Sequence, residues 1–268
     1  MRRMLSAALA GTLAVSTSLI GAGSAQAAET TQVYAVHGVP GVTVDVWVDG
    51  APAIPGFSPL TTAGPLDLPS GPHSVAIAPA GEPASAAVAT ADADLPAGAS
   101  VSIVAHLASG DAVAITPFTN DVSAVPAGQA RLVVRHAANA PAVDIRAGGA
   151  VVASNVAPGQ QVALVVPAGT VSADVVIAGT DTVVLGPADL TLAEGTATFV
   201  HAVGSADAGS LGLVSFTVTG LHSAPGGVPA GSGPAGSPVP IWIVLTAVLL
   251  GVTGVAFGSR RLLGARQS

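Results

Sequence analysis

The sequence predicts an all-β protein: two tandem Ig-like or transthyretin-like β-sandwich modules, with an export signal before them and one membrane helix after them. Three observations carry this. His37, Asp45 and Gly50 recur with the same spacing as His136, Asp144 and Gly149, offset by 99 residues. Period-two alternation broken by Pro/Gly turns fills the chain between residues 31 and 220, as half-buried strands require. Charge and hydropathy change abruptly at both ends.

Taken in chain order, residues 1–27 open with Arg2 and Arg3, run apolar from Leu5 to Ile20 and close on Ala25-Gln26-Ala27, the small-x-small mark of a cleaved export signal. Residues 31–125 form the first expected module. Within it, Val42, Val44, Val46 and Val48 alternate with Thr43, Asp45, Trp47 and Asp49. Further strands are expected at Val33 to His37, Ser74 to Ala78, Ser100 to Leu107 and Ala112 to Phe118, with the Ala84 to Ala91 stretch as strand or loop. Residues 130–220 form the second module, with strands expected at Arg131 to His136, Ala142 to Ala147, Gln161 to Val166, Ala173 to Ile177, Thr196 to Ala202 and Gly212 to Val218. With no cysteine in the chain, disulfides cannot staple these modules, and each is expected to rely on its own core.

Residues 221–238 are nearly all Gly, Pro, Ser, Ala and Val, a composition that cannot bury a core and reads as a tether with a mean reach of about 25 Å. Residues 239–258 read as one transmembrane helix, because Val239 to Phe257 is 19 residues without a charge. Arg260, Arg261 and Arg266 follow, which places the tail at 259–268 in the cytoplasm and Trp242 at the outer interface. The Leu-Pro-x-Thr-Gly of a sortase signal is missing, so the span is expected to be retained as an anchor.

Between the two ends, three arginines face fifteen carboxylates, a net charge of −12. So acidic a surface repels phosphate backbones, and no nucleic-acid partner is expected. The absence of lysine beside heavy use of Ala, Gly, Pro and Val is the compositional mark of a GC-rich Gram-positive bacterium.

The stretch His136-Ala-Ala-Asn-Ala-Pro-Ala-Val-Asp144-Ile-Arg-Ala-Gly-Gly149 resembles the signature of a family of bacterial extracytoplasmic domains, domain of unknown function 4397. That signature runs approximately His-Ala-Ser-Pro-Asp-Ala-Pro-x-Val-Asp-Val-Tyr-Val-Asp-Gly. The first module keeps His37 and Val44-Asp-Val-Trp-Val-Asp-Gly50 but has Val39-Pro-Gly-Val in the intervening segment. The second lacks the Val-Asp before Gly149. Turns at Leu68 to Gly71 and Val166 to Gly169 also fit. The resemblance implies two tandem exported β-sandwiches and no particular activity.

A repeated His and Asp invite an acid/base reading, but a hydrolase also needs a nucleophile. No Gly-x-Ser-x-Gly elbow occurs, cysteine is absent, and no serine recurs near the motif in both modules. If Gly38 to Gly41 closes a hairpin, His37 opposes Val42 and the His and Asp fall on opposite faces. Each His is then expected to cap the core and bond the loop backbone, leaving His37, Gly50, His136, Asp144 and Gly149 as structural markers. The same register sets Tyr34 opposite Asp45 and Trp47 opposite Gln32. Tyr34, Trp47 and Asp45 thus become a candidate ligand platform or module interface, with Trp47 expected at the seam between the modules. No metal-ligand spacing and no cofactor motif is present: Asp92-Ala-Asp94 lacks the rest of a calcium loop. The sequence therefore points to a non-enzymatic, single-pass surface protein in an interaction or envelope-structural role. Its expected partners are the membrane and either cell-wall glycan or another envelope protein; the alternative is a glycan or small-ligand module using the outer face of the first sandwich.

Overall fold

A computed structural model describes residues 29–222. The expected signal peptide, the transmembrane helix, the tail and all but the first two residues of the tether lie outside them. Sixteen strands occupy the described residues. The first half holds β1 (Thr30–His37), β2 (Val44–Val48), β3 (Ala51–Phe57), β4 (Thr61–Pro69), β5 (Gly71–Pro79), β6 (Ala89–Leu95), β7 (Ser100–Leu107) and β8 (Val113–Thr119). The second half holds β9 (Gln129–His136), β10 (Val143–Ala147), β11 (Ala150–Val156), β12 (Gln161–Pro167), β13 (Gly169–Ile177), β14 (Val183–Leu192), β15 (Ala197–Val203) and β16 (Gly212–Val218). They make four sheets of four strands, ordered β3-β2-β5-β6, β4-β1-β7-β8, β12-β9-β15-β16 and β11-β10-β13-β14. No sheet mixes strands from the two halves, so the sequence repeat is a repeat of sandwiches. In each half the first strand pairs in parallel with a late one, β1 with β7 and β9 with β15.

That topology corrects the expected hairpin. β1 pairs with β4 and β7, whereas β2 pairs with β3 and β5, so residues 38–43 carry the chain from one sheet to the other. Tyr34 lies beside Ser102 and Asp45 beside Ala78; neither the Tyr34–Asp45 nor the Trp47–Gln32 pairing exists. The Asp49-Gly50 and Gly148-Gly149 pairs do close two-residue hairpins, β2 to β3 and β10 to β11. All four residues have positive φ, between 51° and 82°, as a type I′ turn demands.

Three apolar layers hold the four sheets together. Within the first sandwich, Val33 and Ala35 pack with Val44, Val46, Val75, Ile77 and Ile103. Within the second, Leu132 and Val134 pack with Val143, Ile145, Val175 and Leu192. The third layer lies between the sandwiches: Val36, Val104 and Phe118 meet Ala137, Val203 and Val214. Consequently β9 and β15 are buried on both faces and read as apolar runs. Each module therefore does not rely on its own core alone; the two halves form one compact unit ending at Leu221.

Five strands beyond the expected set, β3, β4, β6, β11 and β14, are all sheet edges. β3, β4 and β14 contain proline, which an edge tolerates because its missing N–H can face solvent. In β6 the inward positions are Ala91, Ala93 and Leu95, and alanine barely registers in an alternation pattern.

The close approach of the sandwiches depends on Gly38. A Cβ there would sit 2.6 Å from Val203 Cγ1 and 2.8 Å from the Ala105 carbonyl oxygen. Gly38→Ala should therefore destabilise the protein by about 1–3 kcal/mol through overpacking. Thermal unfolding followed by circular dichroism should show a midpoint several degrees lower; an unchanged midpoint would refute a tight seam.

Candidate functional site

The repeated histidines sit where the chain changes sheets. His37 Nε2 lies 2.7 Å from the Val42 carbonyl oxygen, and its Nδ1 accepts the Val39 N–H at 3.4 Å. His136 repeats this with the Pro141 carbonyl at 2.9 Å and the Ala138 N–H at 3.4 Å. The pattern requires the neutral Nε2–H tautomer in both rings. Burial pushes both pKa values below the ordinary 6.5, opposed in part by the bond to the loop carbonyl. Each ring thus ties its sheet-to-sheet loop and has no nitrogen left for proton transfer.

The repeated aspartates hold the neighbouring turns. Asp45 accepts the Gly56 N–H at 2.6 Å and the Gly81 N–H at 2.8 Å. Asp144 accepts the Gly179 N–H at 2.9 Å and the Asn155 N–H at 2.7 Å. These backbone donors hold both carboxyls below the usual carboxylate range. A carboxylate has two oxygens, and each oxygen latches one turn across the outer sheet. His37 and His136 make no hydrogen bond to these aspartates.

The aromatic platform is not assembled. Tyr34 is buried and stacks on Phe216 of the second sandwich, with ring centroids 4.4 Å apart and an interplanar angle of 11°. Trp47 lies on β2 of the outermost sheet, next in register to Pro52 and Ala76, on the face away from the first core. The seam between the sandwiches lies on the other side of that core, so the expectation that Trp47 lines it is corrected. Its indole Nε1 is buried with no hydrogen-bond partner.

The residue at the centre of the seam is Arg135, fully buried on β9. All five guanidinium N–H groups are used. Nε donates to Gln161 Oε1 at 2.9 Å. Nη1 donates to Ser102 Oγ at 2.9 Å and His201 Nε2 at 3.2 Å. Nη2 donates to Asn120 Oδ1 at 2.8 Å and the Thr119 carbonyl at 3.2 Å. The rings of Phe118 and Phe199 lie 4.8 and 5.0 Å from its Cζ, so the cation is sandwiched by one aromatic from each module. No carboxylate touches it. Burial lowers its pKa to about 10, which leaves it charged at neutral pH. Burial, reinforced by this cation, lowers His201 to about 3, so His201 is a neutral acceptor at Nε2 while Nδ1 faces the Val214 carbonyl. Sequence reasoning counted Arg135 only as a charge. The available signal was an arginine inside the apolar run Leu132-Val-Val-Arg-His-Ala-Ala138, where the first module has Val36.

Beside the seam lies a cleft of about 430 Å³, lined by His106, Leu107, Ser109, His136, Asn139 and Pro158 among others. Its volume falls in the range of small-molecule sites. His106 is committed to the Leu107 carbonyl and Thr116 Oγ1, and Asn139 donates to Asp111, so the lining offers shape and neutral dipoles rather than reactive groups. In the first sandwich, His73 bridges Asp49 Oδ2 at 2.7 Å and the Pro69 carbonyl at 2.8 Å. With an acceptor at each nitrogen the ring is stabilised as imidazolium, and the Asp49 bond, then that of Pro69, raises its pKa. Among the described residues no group of three His, Cys, Asp or Glu side chains could hold a metal ion.

The family model described as Domain of unknown function (DUF4397) matches residues 31–146. The chain resembles this family over the whole first sandwich and through β10 of the second, and the sheet layout agrees with two tandem modules. No curated protein matches the chain.

Two outcomes follow from these bonds. Arg135→Met would remove the donors that Ser102 Oγ, Asn120 Oδ1 and His201 Nε2 accept in the seam, leaving His201 Nε2 with no donor while Ser102 Oγ and Asn120 Oδ1 keep only their mutual bond, and should cost about 2–4 kcal/mol in denaturant unfolding. Arg135→Lys, with three donors on a point charge, should fall between it and the native protein. The second outcome is a pH dependence. His37, His106, His136 and His201 titrate below 6.5 in the fold, so the unfolded chain takes up protons first as pH falls. Stability should drop between pH 7 and 5, and again below about pH 4 as Asp45 and Asp144 protonate. His73 has the opposite sign, and its contribution fades as pH rises through its raised pKa. Circular-dichroism melts should show the midpoint falling from pH 7 to 5, with a shallower slope for His136→Gln; a flat profile would contradict the buried neutral histidines.

Proposed function

We propose that this is a single-span cell-surface protein whose two-sandwich ectodomain is non-catalytic and serves an interaction or envelope-structural role. The observation that carries this reading is the commitment of the reactive-looking side chains. Both repeated histidines, both repeated aspartates and every donor of Arg135 are spent on holding backbone turns or joining the sandwiches. A general base needs a basic lone pair facing substrate: both nitrogens of His37 and His136 are taken by loop backbone, and each oxygen of Asp45 and Asp144 already accepts a backbone N–H that holds its carboxyl below the usual range.

The ectodomain faces outward in this reading, the span at 239–258 holds it to the membrane and the arginines after the span stay in the cytoplasm. A rigid pair of sandwiches on a short tether suits a structural or docking task close to the membrane. The glycan reading loses its paired platform, since the Tyr34 ring is covered by Phe216. A small-ligand reading is better placed at the seam cleft, where the lining suits a neutral molecule.

Cell fractionation tests the proposal. The full-length chain should sediment with membranes and be digested by protease added to wall-free cells, while a chain stopped before residue 239 should appear in the medium. Recovery of the full-length chain in the cytosol would overturn it.

A further inference from the structure

The two sandwiches differ most in how they protect their sheet edges. A free edge offers unpaired N–H and C=O groups to any extended chain, and proteins blunt such edges with proline, charge or bulges. Among the described residues, eight strands are edges. β3 carries Pro52 and Pro55, β4 carries Pro65 and Asp67, β6 carries Asp92 and Asp94, β8 carries Pro117, and β14 carries Pro187 and Asp189. β11 is broken by two register shifts. β16 is uncharged and free of proline but runs against the first sandwich, with Gly212 next to Leu60.

β12 has none of these devices. Gln161-Val-Ala-Leu-Val-Val-Pro167 is uncharged, has proline only at its last position, and pairs with β9 in an unbroken register from Gln161↔Arg135 to Pro167↔Gln129. Its other side has no partner strand. Val165 is 48 % exposed, and Val151 and Val152 on the adjacent β11 are 55 % and 39 % exposed. The matching edge of the first sandwich, β4, has Pro65 within it, a register shift against β1 and Asp67.

We infer that β12 is a pairing edge, and that its partner is β12 of a second copy of this chain, related by a two-fold axis. Two features select a second copy. Antiparallel pairing about Leu164 sets Val162 against Val166 and Ala163 against Val165, so apolar residues meet apolar residues on both faces. Between bodies that each carry −12, any contact through β4, β6 or β14 brings carboxylates together, whereas β12 brings none. A two-fold contact also closes, which ends growth at a dimer. The pairing extends β16-β15-β9-β12 into one eight-stranded sheet through both copies. Because the bodies repel and the edge is neutral, raising ionic strength strengthens the dimer.

The absence of cysteine makes the test direct. Leu164→Cys places two thiols on the two-fold axis, with Cα atoms at a strand-pair spacing of about 4.5–5.5 Å, inside the range a disulfide spans. Leu66→Cys, at the matching position of β4, is the control. With the full-length chain oxidised in cells and run without reductant, Leu164→Cys should give severalfold more disulfide-linked dimer than Leu66→Cys. Adding Val165→Arg, an exposed substitution, should abolish it. In parallel, light scattering of the cysteine-free full-length chain should report a dimer that Val165→Arg converts to monomer. Equal cross-linking at the two positions with a monomeric mass would overturn the proposal. So would cross-linking of Leu164→Cys to a different protein in place of itself.

Discussion

The structure depends on one buried cation. Arg135 joins the two sandwiches by donating five hydrogen bonds to partners from both halves while lying between Phe118 and Phe199. A guanidinium taken out of water normally demands a carboxylate, because desolvation of an unpaired ion is severe. Here the charge is spread over neutral acceptors and two ring faces, each weaker than a carboxylate but together filling the donor fork. An apolar side chain could fill the volume but would leave the buried His201 Nε2 with no donor and strip one from Asn120 Oδ1 and Ser102 Oγ.

Around this centre the rest of the seam follows. Tyr34 stacks on Phe216, Phe216 lies 5.0 Å from Phe199, and His201 lies within 5.9 Å of Phe216, so Tyr34, Phe118, Phe199, His201 and Phe216 act on one another or on Arg135. Arg131 then pins the connector between the halves by donating to the Asp121 and Ser123 carbonyls. A protein without disulfides gains its rigidity this way, through a third apolar layer with a polar centre.

Duplication has left the two copies alike where the backbone must be held and different where they meet something else. The His37 and His136 loop ties, the Asp45 and Asp144 turn latches and the hairpins at Gly50 and Gly149 match bond for bond. By contrast Val36 corresponds to Arg135, and the blunted β4 corresponds to the unguarded β12. The first difference makes one rigid body from two sandwiches. The second leaves that body one uncharged edge with neither an internal proline nor a register shift to blunt it.

The all-β class, the repeat and the central strands were legible in the sequence, because alternation and turn residues act locally and leave a periodic trace. Edge strands such as β3 and β14 were hidden by prolines that only an edge position permits. The markers His37, Asp45, His136 and Asp144 were visible as residues, but their bonds were not: Asp45 reaches Gly81, 36 positions away, and no spacing rule encodes that. Whether β1 and β2 form a hairpin or part into separate sheets was settled by long-range pairing, β1 with β4 and β7 and β2 with β3 and β5, with the His37 ring tying the crossing loop. The place of Arg135 was settled by the docking of two surfaces, where a residue that reads as solvated charge becomes the buried centre because the acceptors around it come from both halves of the chain.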